Sequence, residues 1–260
     1  MGVVTPAAWL ASYRRNLKGA LHAASADGFR AVHARASRDA VDPPEFGGTA
    51  RRHLRHYLDG LGLRLDGLAS ETAGLGLADP HTGEERLDAL RQALELCAAI
   101  GVRNASVSVG GLGDSSHEAR ARESLAQAAA LADRYRVRVA IRGATEDPTQ
   151  LACEVRRTGC EWLGVALDTA SAAAPSEFIS ACGDALGAVY LRDARRVGTG
   201  FEETDFGQGD VDFRRVLAEL EAAGFAGPRV IRRDAERLRV DALRTGREYI
   251  AAFGAAQGRP

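Results

Sequence analysis

Two segments decide the fold: Val137-Arg-Val-Ala-Ile-Arg142 and Leu163-Gly-Val-Ala-Leu-Asp168, in which large apolar residues alternate with small or charged ones. A period of two is typical of a β-strand whose faces have different surroundings. Each segment precedes a longer amphipathic stretch, so strand and helix alternate. In a parallel barrel the large apolar side chains face the helices and the other set faces the interior. By this parity Arg142 and Asp168 point inward at the carboxyl ends of their strands.

The same alternation runs through the whole chain. It predicts strands at residues 1–5, 31–36, 63–69, 104–109, 137–142, 163–169, 188–193 and 229–233. It predicts helices at residues 13–27, 49–60, 84–100, 116–135, 148–158, 175–182 and 212–224, with a last helix ending near Phe253. Eight such units fit an α/β fold of the (β/α)8 TIM-barrel type, which needs ~250 residues. The alternative, an open doubly wound sheet, would normally carry a glycine-rich phosphate loop after its first strand, where this sequence has none.

Length and composition indicate one globular domain over residues 1–260. Apolar residues make up 45% of the chain and charged residues 27%, which is ordinary for such a domain. The net charge of −1 favours neither nucleic acid nor an anionic membrane surface as a partner. The first residues lack the basic and apolar regions of a signal peptide, so we expect a cytoplasmic location. Abundant Ala and Arg with one Met suggest a GC-rich bacterial genome.

Four segments of the second half share their order and spacing with a known family. They are Leu163-Gly-Val-Ala-Leu-Asp168-Thr169, Val189-Tyr-Leu-Arg-Asp193, Gly207-Gln-Gly-Asp-Val-Asp-Phe213 and Gly224-Phe-Ala-Gly-Pro-Arg-Val-Ile-Arg232. On these segments the chain resembles the xylose isomerase-like TIM barrels, the sugar phosphate isomerase/epimerase superfamily. The Gly-x-Gly-Asp-Val-Asp-Phe block is the most specific of them, and the first half of the chain carries no sharp motif.

The resemblance implies a divalent-cation site from which this chain departs. Enzymes of the family hold the ion with a Glu ending strand five, an Asp ending strand six, a His on strand seven and a Glu ending strand eight. The corresponding residues here are Arg142, Asp168, Tyr190 and Arg232, so only the aspartate is retained. A His that often follows that Asp by three residues, and contacts substrate, corresponds to Ser171. All six histidines lie within the first 117 residues, so the late strands offer no imidazole.

Charge argues against a metal ion at these positions. A divalent ion about 4 Å from one arginine would be repelled by about 8 kcal/mol at an effective dielectric of about 20, and arginine does not deprotonate. We therefore expect neither metal nor cofactor. Three interpretations of Arg142, Asp168 and Arg232 stay open: the arginines pair with the aspartate and fill the space of the ion, their surplus positive charge binds a carboxylate or phosphate, or one arginine points elsewhere.

Proton transfer without a metal is conceivable in this arrangement, because arginines can stabilise the enediolate oxygen that the cation would otherwise stabilise. The candidate bases are Asp168 and Glu71, which ends strand three, and the candidate acids are Tyr190 and His33. An aspartate between two arginines has a lowered pKa and is a poor base. This reasoning favours Glu71 or His33 as the proton carrier.

Substrate contacts are predicted for three arginines, Arg142, Arg192 and Arg232, and for Ser171. Trp9 is predicted to follow the first strand and cover the mouth, as aromatic residues do in sugar sites. The charged stretch 195–210 is a candidate lid. The glycine-rich stretch 110–114 is either a phosphate-cradling loop or a plain turn.

Together these observations predict a metal-independent isomerase- or epimerase-like enzyme. It would isomerise, epimerise, dehydrate or cyclise a small anionic or polyhydroxylated metabolite. Two alternatives stay open: a non-catalytic barrel with a binding or accessory role, and an ordinary metal-dependent sugar isomerase. The expected partners are a small anionic molecule as substrate and a second copy of the chain, since barrels of this family often dimerise. Neither nucleic acid nor a membrane is expected as a partner.

Overall fold

The computed structural model describes residues 5–71, 74–143, 147–198, 200–235 and 241–256. Eight parallel strands close into a barrel in which each strand pairs with its neighbours, as the sequence predicts for a (β/α)8 fold. The barrel strands are β1 (Ala7–Trp9), β2 (Ala31–Arg35), β3 (Arg64–Ser70), β4 (Asn104–Ser108), β5 (Arg138–Arg142), β6 (Leu163–Asp168), β7 (Leu186–Leu191) and β10 (Arg229–Ile231). An antiparallel hairpin of β8 (Asp193–Val197) and β9 (Gly200–Thr204) lies between the last two barrel strands.

Helices alternate with the strands along the chain. They are α1 (Leu17–Ala26), α2 (Gly48–Gly60), α3 (Gly83–Ile100), α4 (Glu118–Tyr135), α5 (Pro148–Arg157), α6 (Pro175–Cys182), α7 (Phe213–Ala222) and α8 (Ala242–Ala256). The predicted bounds of α2 to α7 agree within two residues. The first helix starts later than predicted because the Asn16 side chain caps it, accepting a hydrogen bond from the Gly19 N–H at 2.9 Å. Among the described residues, no helix is long and apolar enough to cross a membrane.

The predicted strand parity is confirmed by two separate hydrophobic clusters. The larger one joins strands to helices and includes Val139, Ile141, Val165 and Leu167. The smaller one fills the barrel interior with Ala7, Trp9, Ala31, Ala69, Ala140, Ala166, Ala188, Tyr190 and Val230. Because most interior side chains are alanines, a few rings occupy the remaining space, as jigsaw packing requires.

The first strand is not where the sequence predicts it. Residues 1–4 of the predicted strand lie outside the described residues, and β1 is Ala7–Trp9. Trp9 therefore ends a strand instead of following one, and its side chain is fully buried inside the barrel. The prediction that it covers the mouth is wrong, because the inward parity of a strand residue places its ring within the interior cluster.

Candidate functional site

A cavity of about 1090 Å³ opens at the carboxyl ends of the barrel strands, the end that carries the active sites of TIM-barrel enzymes. Its charged lining includes Arg35, Glu71, Arg142, Asp168, Arg192 and Arg232, and Ser171 lies beside them. Strand parity accounts for three of these residues, since Arg35, Arg142 and Asp168 end their strands on the inward face. All three predicted substrate-binding arginines thus reach one cavity together with both candidate carboxylates.

Glu71 is the carboxylate that holds the two arginines at metal-ligand positions. Its Oε1 accepts hydrogen bonds from Nη1 of Arg142 at 2.7 Å and from Nη1 of Arg232. Its Oε2 accepts one from Nε of Arg35 at 2.9 Å. The sequence-based expectation that Asp168 lies between Arg142 and Arg232 is therefore wrong, because Glu71, the residue after β3, shares the inward parity and reaches both guanidinium groups first.

Asp168 pairs with a different arginine. Its Oδ2 accepts a hydrogen bond from Nη1 of Arg192 at 2.9 Å, and its Oδ1 accepts one from the Ala170 N–H at 3.1 Å. Arg192 also donates to both oxygens of Glu203 at 3.4 Å. Glu203 comes from β9, which folds the hairpin back over the barrel mouth. Sequence reasoning missed Glu203, because strand parity predicts the direction of side chains only for barrel strands and Glu203 lies on a hairpin outside the barrel.

Ion pairs set the protonation states in this network. Burial alone would raise the pKa of Glu71, but Arg232 and Arg142 hold it below its ordinary value. Burial alone would lower the pKa of Arg232, but Glu71 and Asp234 raise it above the ordinary range of arginine. Asp234 binds Nε of Arg232 at 2.8 Å. Glu71 is therefore ionised at neutral pH and Arg232 is permanently charged.

Charge is nearly balanced across the network as a whole. The paired groups are the cations Arg35, Arg142, Arg192, Arg232 and Arg233 and the anions Glu71, Asp168, Glu203, Asp205 and Asp234. The surplus positive charge expected of an isolated Arg–Asp–Arg triad is thus offset by carboxylates that the sequence did not reveal. Among these groups, an excess of positive charge is present only locally, around Glu71, which pairs with three arginines.

The candidate acids Tyr190 and His33 lie inside the barrel and do not line the cavity. The Tyr190 hydroxyl is 2.6 Å from the Ser106 hydroxyl, and its ring stacks on His33 with centroids 6.0 Å apart. Neither ring nitrogen of His33 has a hydrogen-bond partner among the described residues. Burial lowers the pKa of His33 to about 3, against the opposing effect of Glu71. A side chain at Gly67 would collide with the His33 ring, so this glycine makes room for it.

The two metal-position arginines rest on the rings of this interior cluster. The guanidinium of Arg142 is 5.3 Å from the Tyr190 ring centroid, and that of Arg232 is 5.8 Å from it. Arg232 is also 5.1 Å from the Trp9 ring centroid. These are cation–π distances. Trp9 and Tyr190 therefore support the arginines from the barrel interior, on the side away from the cavity.

The divalent cation of the family does not fit the residues present here. Arg142, Tyr190 and Arg232 occupy three of its four ligand positions, and the remaining Asp168 already binds Arg192. Within the described ranges, no group of three or more His, Cys, Asp and Glu side chains is arranged to hold a metal ion. Guanidinium groups donate hydrogen bonds and have no lone pair to give to a cation. The arrangement suits a ligand with negative or hydrogen-bond-accepting oxygens.

The Gly-x-Gly-Asp block shapes the loop that follows the hairpin. Oδ2 of Asp193 accepts hydrogen bonds from the Gly207 N–H at 2.7 Å and the Gly209 N–H at 3.1 Å. A Cβ on Gly209 would collide with Asp193 and lie 2.6 Å from the Ala194 carbonyl oxygen. The sequence placed Asp193 at the end of the seventh strand, but in the structure Asp193 begins the hairpin. The predicted lid stretch, residues 195–210, contains most of this hairpin, and Phe201 of the hairpin lines the cavity.

The glycine-rich stretch after β4 contributes little to the cavity. Gly110 lines it, but the Gly110 N–H already donates to the Leu75 carbonyl at 3.0 Å. Asp114 turns toward the start of α4, where its carboxylate binds Ser116 at 2.6 Å and His117 at 2.9 Å. These contacts agree with the plain turn that the sequence left open.

Comparison with known proteins gives the family. A profile of the xylose isomerase-like TIM barrels matches residues 21–253, so the chain belongs to this family. Among solved structures, D-psicose 3-epimerase with D-tagatose from Clostridium cellulolyticum H10 is 14% identical, with a TM-score of 0.72 over 97% of this chain and 98% of its own. A xylose isomerase-like TIM barrel protein from Mycobacterium smegmatis in complex with magnesium is 13% identical, with a TM-score of 0.77 over 97% of each chain.

A D-tagatose 3-epimerase-like protein is 15% identical, with a TM-score of 0.77 over 98% of this chain and 100% of its own. Identities this low establish a shared fold, which is the fold of sugar isomerases and epimerases. No curated protein sequence matches the chain significantly. The chemistry must therefore be argued from the cavity and its residues.

Proposed function

We propose that the chain is an isomerase- or epimerase-like enzyme that transfers a proton next to a carbonyl group without a divalent metal. Its substrate would be a small anionic or polyhydroxylated metabolite. One observation carries the proposal: Arg142 and Arg232 occupy two metal-ligand positions, and Glu71 holds both guanidinium groups at the cavity. Fixed positive charge at that place can stabilise a developing enediolate oxygen, as the cation does in other members of the fold.

Arg142 is the residue best placed for this stabilisation. Only its Nη1 is hydrogen-bonded within the described part of the chain, so Nε and Nη2 keep donors for a substrate oxygen. In Arg232 all three nitrogens contact Glu71 or Asp234. Arg232 therefore adds positive charge to the site, whereas Arg142 can also bind.

Asp168 is the residue best suited to act as base. It lines the cavity and accepts one hydrogen bond from Arg192 and one from a backbone N–H. Glu71 accepts three arginine hydrogen bonds and has a lowered pKa, which makes it the poorer base. The sequence analysis favoured Glu71 because it expected Asp168 to lie between two arginines. In the structure Glu71 has that position, so the same argument now favours Asp168 as the base. His33, buried and with its pKa near 3, is a weak alternative.

A non-catalytic binding barrel is the second candidate, and one observation favours it. Neither Tyr190 nor His33 lines the cavity, so the predicted acids are absent from its described wall. A binding protein would need the arginines of the cavity but no residue to return a proton. The two functions therefore differ in whether a bound molecule exchanges hydrogen with solvent.

Hydrogen exchange in D₂O tests both candidates. Purified protein, with its metal content measured and with EDTA present, is incubated with a panel of ketoses and sugar acids, and deuterium next to the carbonyl is followed by NMR. We expect incorporation that EDTA leaves unchanged and that Asp168→Asn abolishes. Glu177→Gln, which also alters a carboxylate of the cavity wall, is the matched control and should leave the rate unchanged.

The outcomes separate the alternatives. Exchange that EDTA stops and Mn²⁺ restores would identify an ordinary metal-dependent isomerase and refute the proposal. Binding of a panel member without any exchange would identify a binding barrel. Exchange that survives in Asp168→Asn would keep the reaction class but remove Asp168 as the base.

A further inference from the structure

We infer that Arg35 and Arg142 form a carboxylate-binding subsite, and that the ligands of this cavity are carboxylated polyols such as sugar acids. The carboxylate subsite is argued from the contacts of these two arginines alone, whereas the statements that the ligand is a polyol and a substrate rest on the proposed function. Arg35 was not among the residues predicted from the sequence, although it shares the inward parity of His33 on β2.

Arg35 and Arg142 differ from the other arginines of the cavity in their free donors. Within the described residues, Arg35 donates from Nε to Glu71, and its Nη1 and Nη2 have no partner. The side chains of Arg35 and Arg142 are 39% and 24% exposed, respectively, and both line the cavity. Arg192 and Arg232 are only 10% and 8% exposed, and each of their nitrogens contacts a carboxylate. A ligand therefore meets available guanidinium donors at Arg35 and Arg142.

Glu71 fixes these two groups relative to each other. Arg35 bonds to Oε2 and Arg142 to Oε1 of the same carboxylate, at 2.9 and 2.7 Å. The two guanidinium groups thus lie on either side of Glu71, with their remaining donors on the cavity wall. A ligand carboxylate that bridges them completes an alternating set of two cations and two anions. Guanidinium groups bind carboxylates by such charge-assisted, paired hydrogen bonds.

The local charge favours a carboxylate over a phosphate. Arg35 and Arg142 carry two positive charges and Glu71 one negative charge, while Arg232 is offset by Asp234. Among these paired groups the surplus is one positive charge, which matches one carboxylate; the exposed Asp39 acts on Arg35 only at longer range and offsets part of it. A phosphate monoester carries about −1.5 to −2 at neutral pH, and its second charge would lie in a cavity that Asp39 and Asp168 also line.

Three six-carbon probes test the subsite by calorimetry on the full chain. D-Gluconate, D-sorbitol and sorbitol 6-phosphate present a carboxylate, a hydroxymethyl group and a phosphate on matched polyols. We expect gluconate to bind about 10-fold to 100-fold more tightly than sorbitol, and more tightly than the phosphate. Arg35→Gln and Arg142→Gln should each remove most of the preference for gluconate, with little effect on sorbitol.

Arg138→Gln is the matched control, because Arg138 begins the same strand and binds backbone carbonyls at the opposite end of the barrel. Its preference for gluconate should equal that of the wild type. Circular dichroism confirms folding, and Arg142→Lys, which keeps the charge but not the paired donors, should retain part of the preference.

The inference is overturned if gluconate does not bind more tightly than sorbitol, including the case in which neither binds. It is also overturned if the two glutamine variants keep the preference, or if the phosphate binds most tightly. None of these measurements requires turnover, so a failure of the proposed enzyme activity is distinguishable from a failure of the subsite. Gluconate binding, with no hydrogen exchange in any member of the ketose and sugar-acid panel, would support the subsite and refute the enzyme.

Discussion

Replacing Glu71 by Gln tests whether this carboxylate holds the barrel mouth together. Gln has nearly the same shape as Glu, so the substitution removes the charge and leaves the packing. Arg35, Arg142 and Arg232 would then lose their shared anionic partner. Arg142 and Arg232, which both approach Oε1, would repel each other without a negative charge between them. We expect the variant to fold with reduced stability.

The exposure of each partner sets the size of the loss. Removing one member of a fully buried ion pair costs about 3–5 kcal/mol. Glu71 and Arg232 are 17% and 8% exposed, but Arg35 is 39% exposed and adds little. We therefore expect a loss of about 2–4 kcal/mol in the free energy of unfolding. For a chain of this length that corresponds to a fall of about 4–8 °C in Tm.

The effect must depend on pH in one direction. The pKa of Glu71 is lowered in the folded protein, so the unfolded state binds a proton at Glu71 at a higher pH than the folded state does. The stability that Glu71 contributes is therefore complete above its unfolded pKa of about 4.3, and it is lost as the pH falls through the lower folded value. The difference in Tm between wild type and Glu71→Gln should be constant from pH 7 to 5 and shrink below that.

Thermal denaturation of both proteins from pH 7 downward, as far as the wild type stays folded, measures this difference. Glu219→Gln is the control, because within the described ranges the Glu219 side chain forms only a helix-surface pair with Arg215 at 3.9 Å, and such pairs contribute little. A Glu71→Gln variant as stable as the wild type at pH 7 would refute the reasoning. So would a difference that persists unchanged at the lowest pH.

Three further predictions concern the arginine, glycine and histidine of the site. Arg232→Met should lower the free energy of unfolding by about 2–4 kcal/mol, measured by thermal or urea denaturation, because Glu71 keeps only Arg35 and Arg142 and Asp234 keeps only Arg192; a loss no larger than that of Arg55→Met on the exposed face of α2 would contradict this. Gly209→Ala should cost about 1–3 kcal/mol by forcing a methyl group against Asp193, and an unchanged Tm would refute the steric argument. The ring of His33 should not titrate by NMR between pH 8 and 5, because burial lowers its pKa to about 3. The unfolded state gains this proton below about pH 6.5, so the cost to stability grows as the pH falls from there, and a midpoint above pH 5 would contradict the burial argument.

The fold was predictable because local patterns and barrel geometry agree. The alternation around Val139 and Ile141 specifies which side chains face the helices, and the structure separates them from Ala140 as expected. From the same parity we predicted that Arg142 and Asp168 point inward at the carboxyl ends of their strands, and both line the cavity. Such predictions succeed because each depends on one strand and its period of two. The first strand escaped prediction because Ala7–Trp9 is too short to show a period.

The pairing within the site was not predictable, because it depends on distances between elements. One of the three interpretations paired Arg142 and Arg232 with Asp168, but Glu71 binds both arginines and Asp168 binds Arg192. Strand parity predicts the direction in which a side chain points, but it does not predict which charged residue that side chain will bind. Glu203 lies in the predicted lid stretch, but nothing in the sequence predicted its partner, since it lies on a hairpin outside the barrel.

The three departures from the metal-ligand set depend on one another physically. Arg142 and Arg232 each lie between a carboxylate and an aromatic ring. Glu71 binds both guanidinium groups, and the Tyr190 ring centroid is 5.3 Å from the guanidinium of Arg142 and 5.8 Å from that of Arg232. Returning Arg142 alone to Glu would place a carboxylate against Glu71 and over the negative face of the ring. Returning Tyr190 alone to His would remove that ring from beneath two cations. A single reversal therefore loses contacts without rebuilding a set of four metal ligands, and the arginine-based mouth is a self-consistent arrangement of these residues.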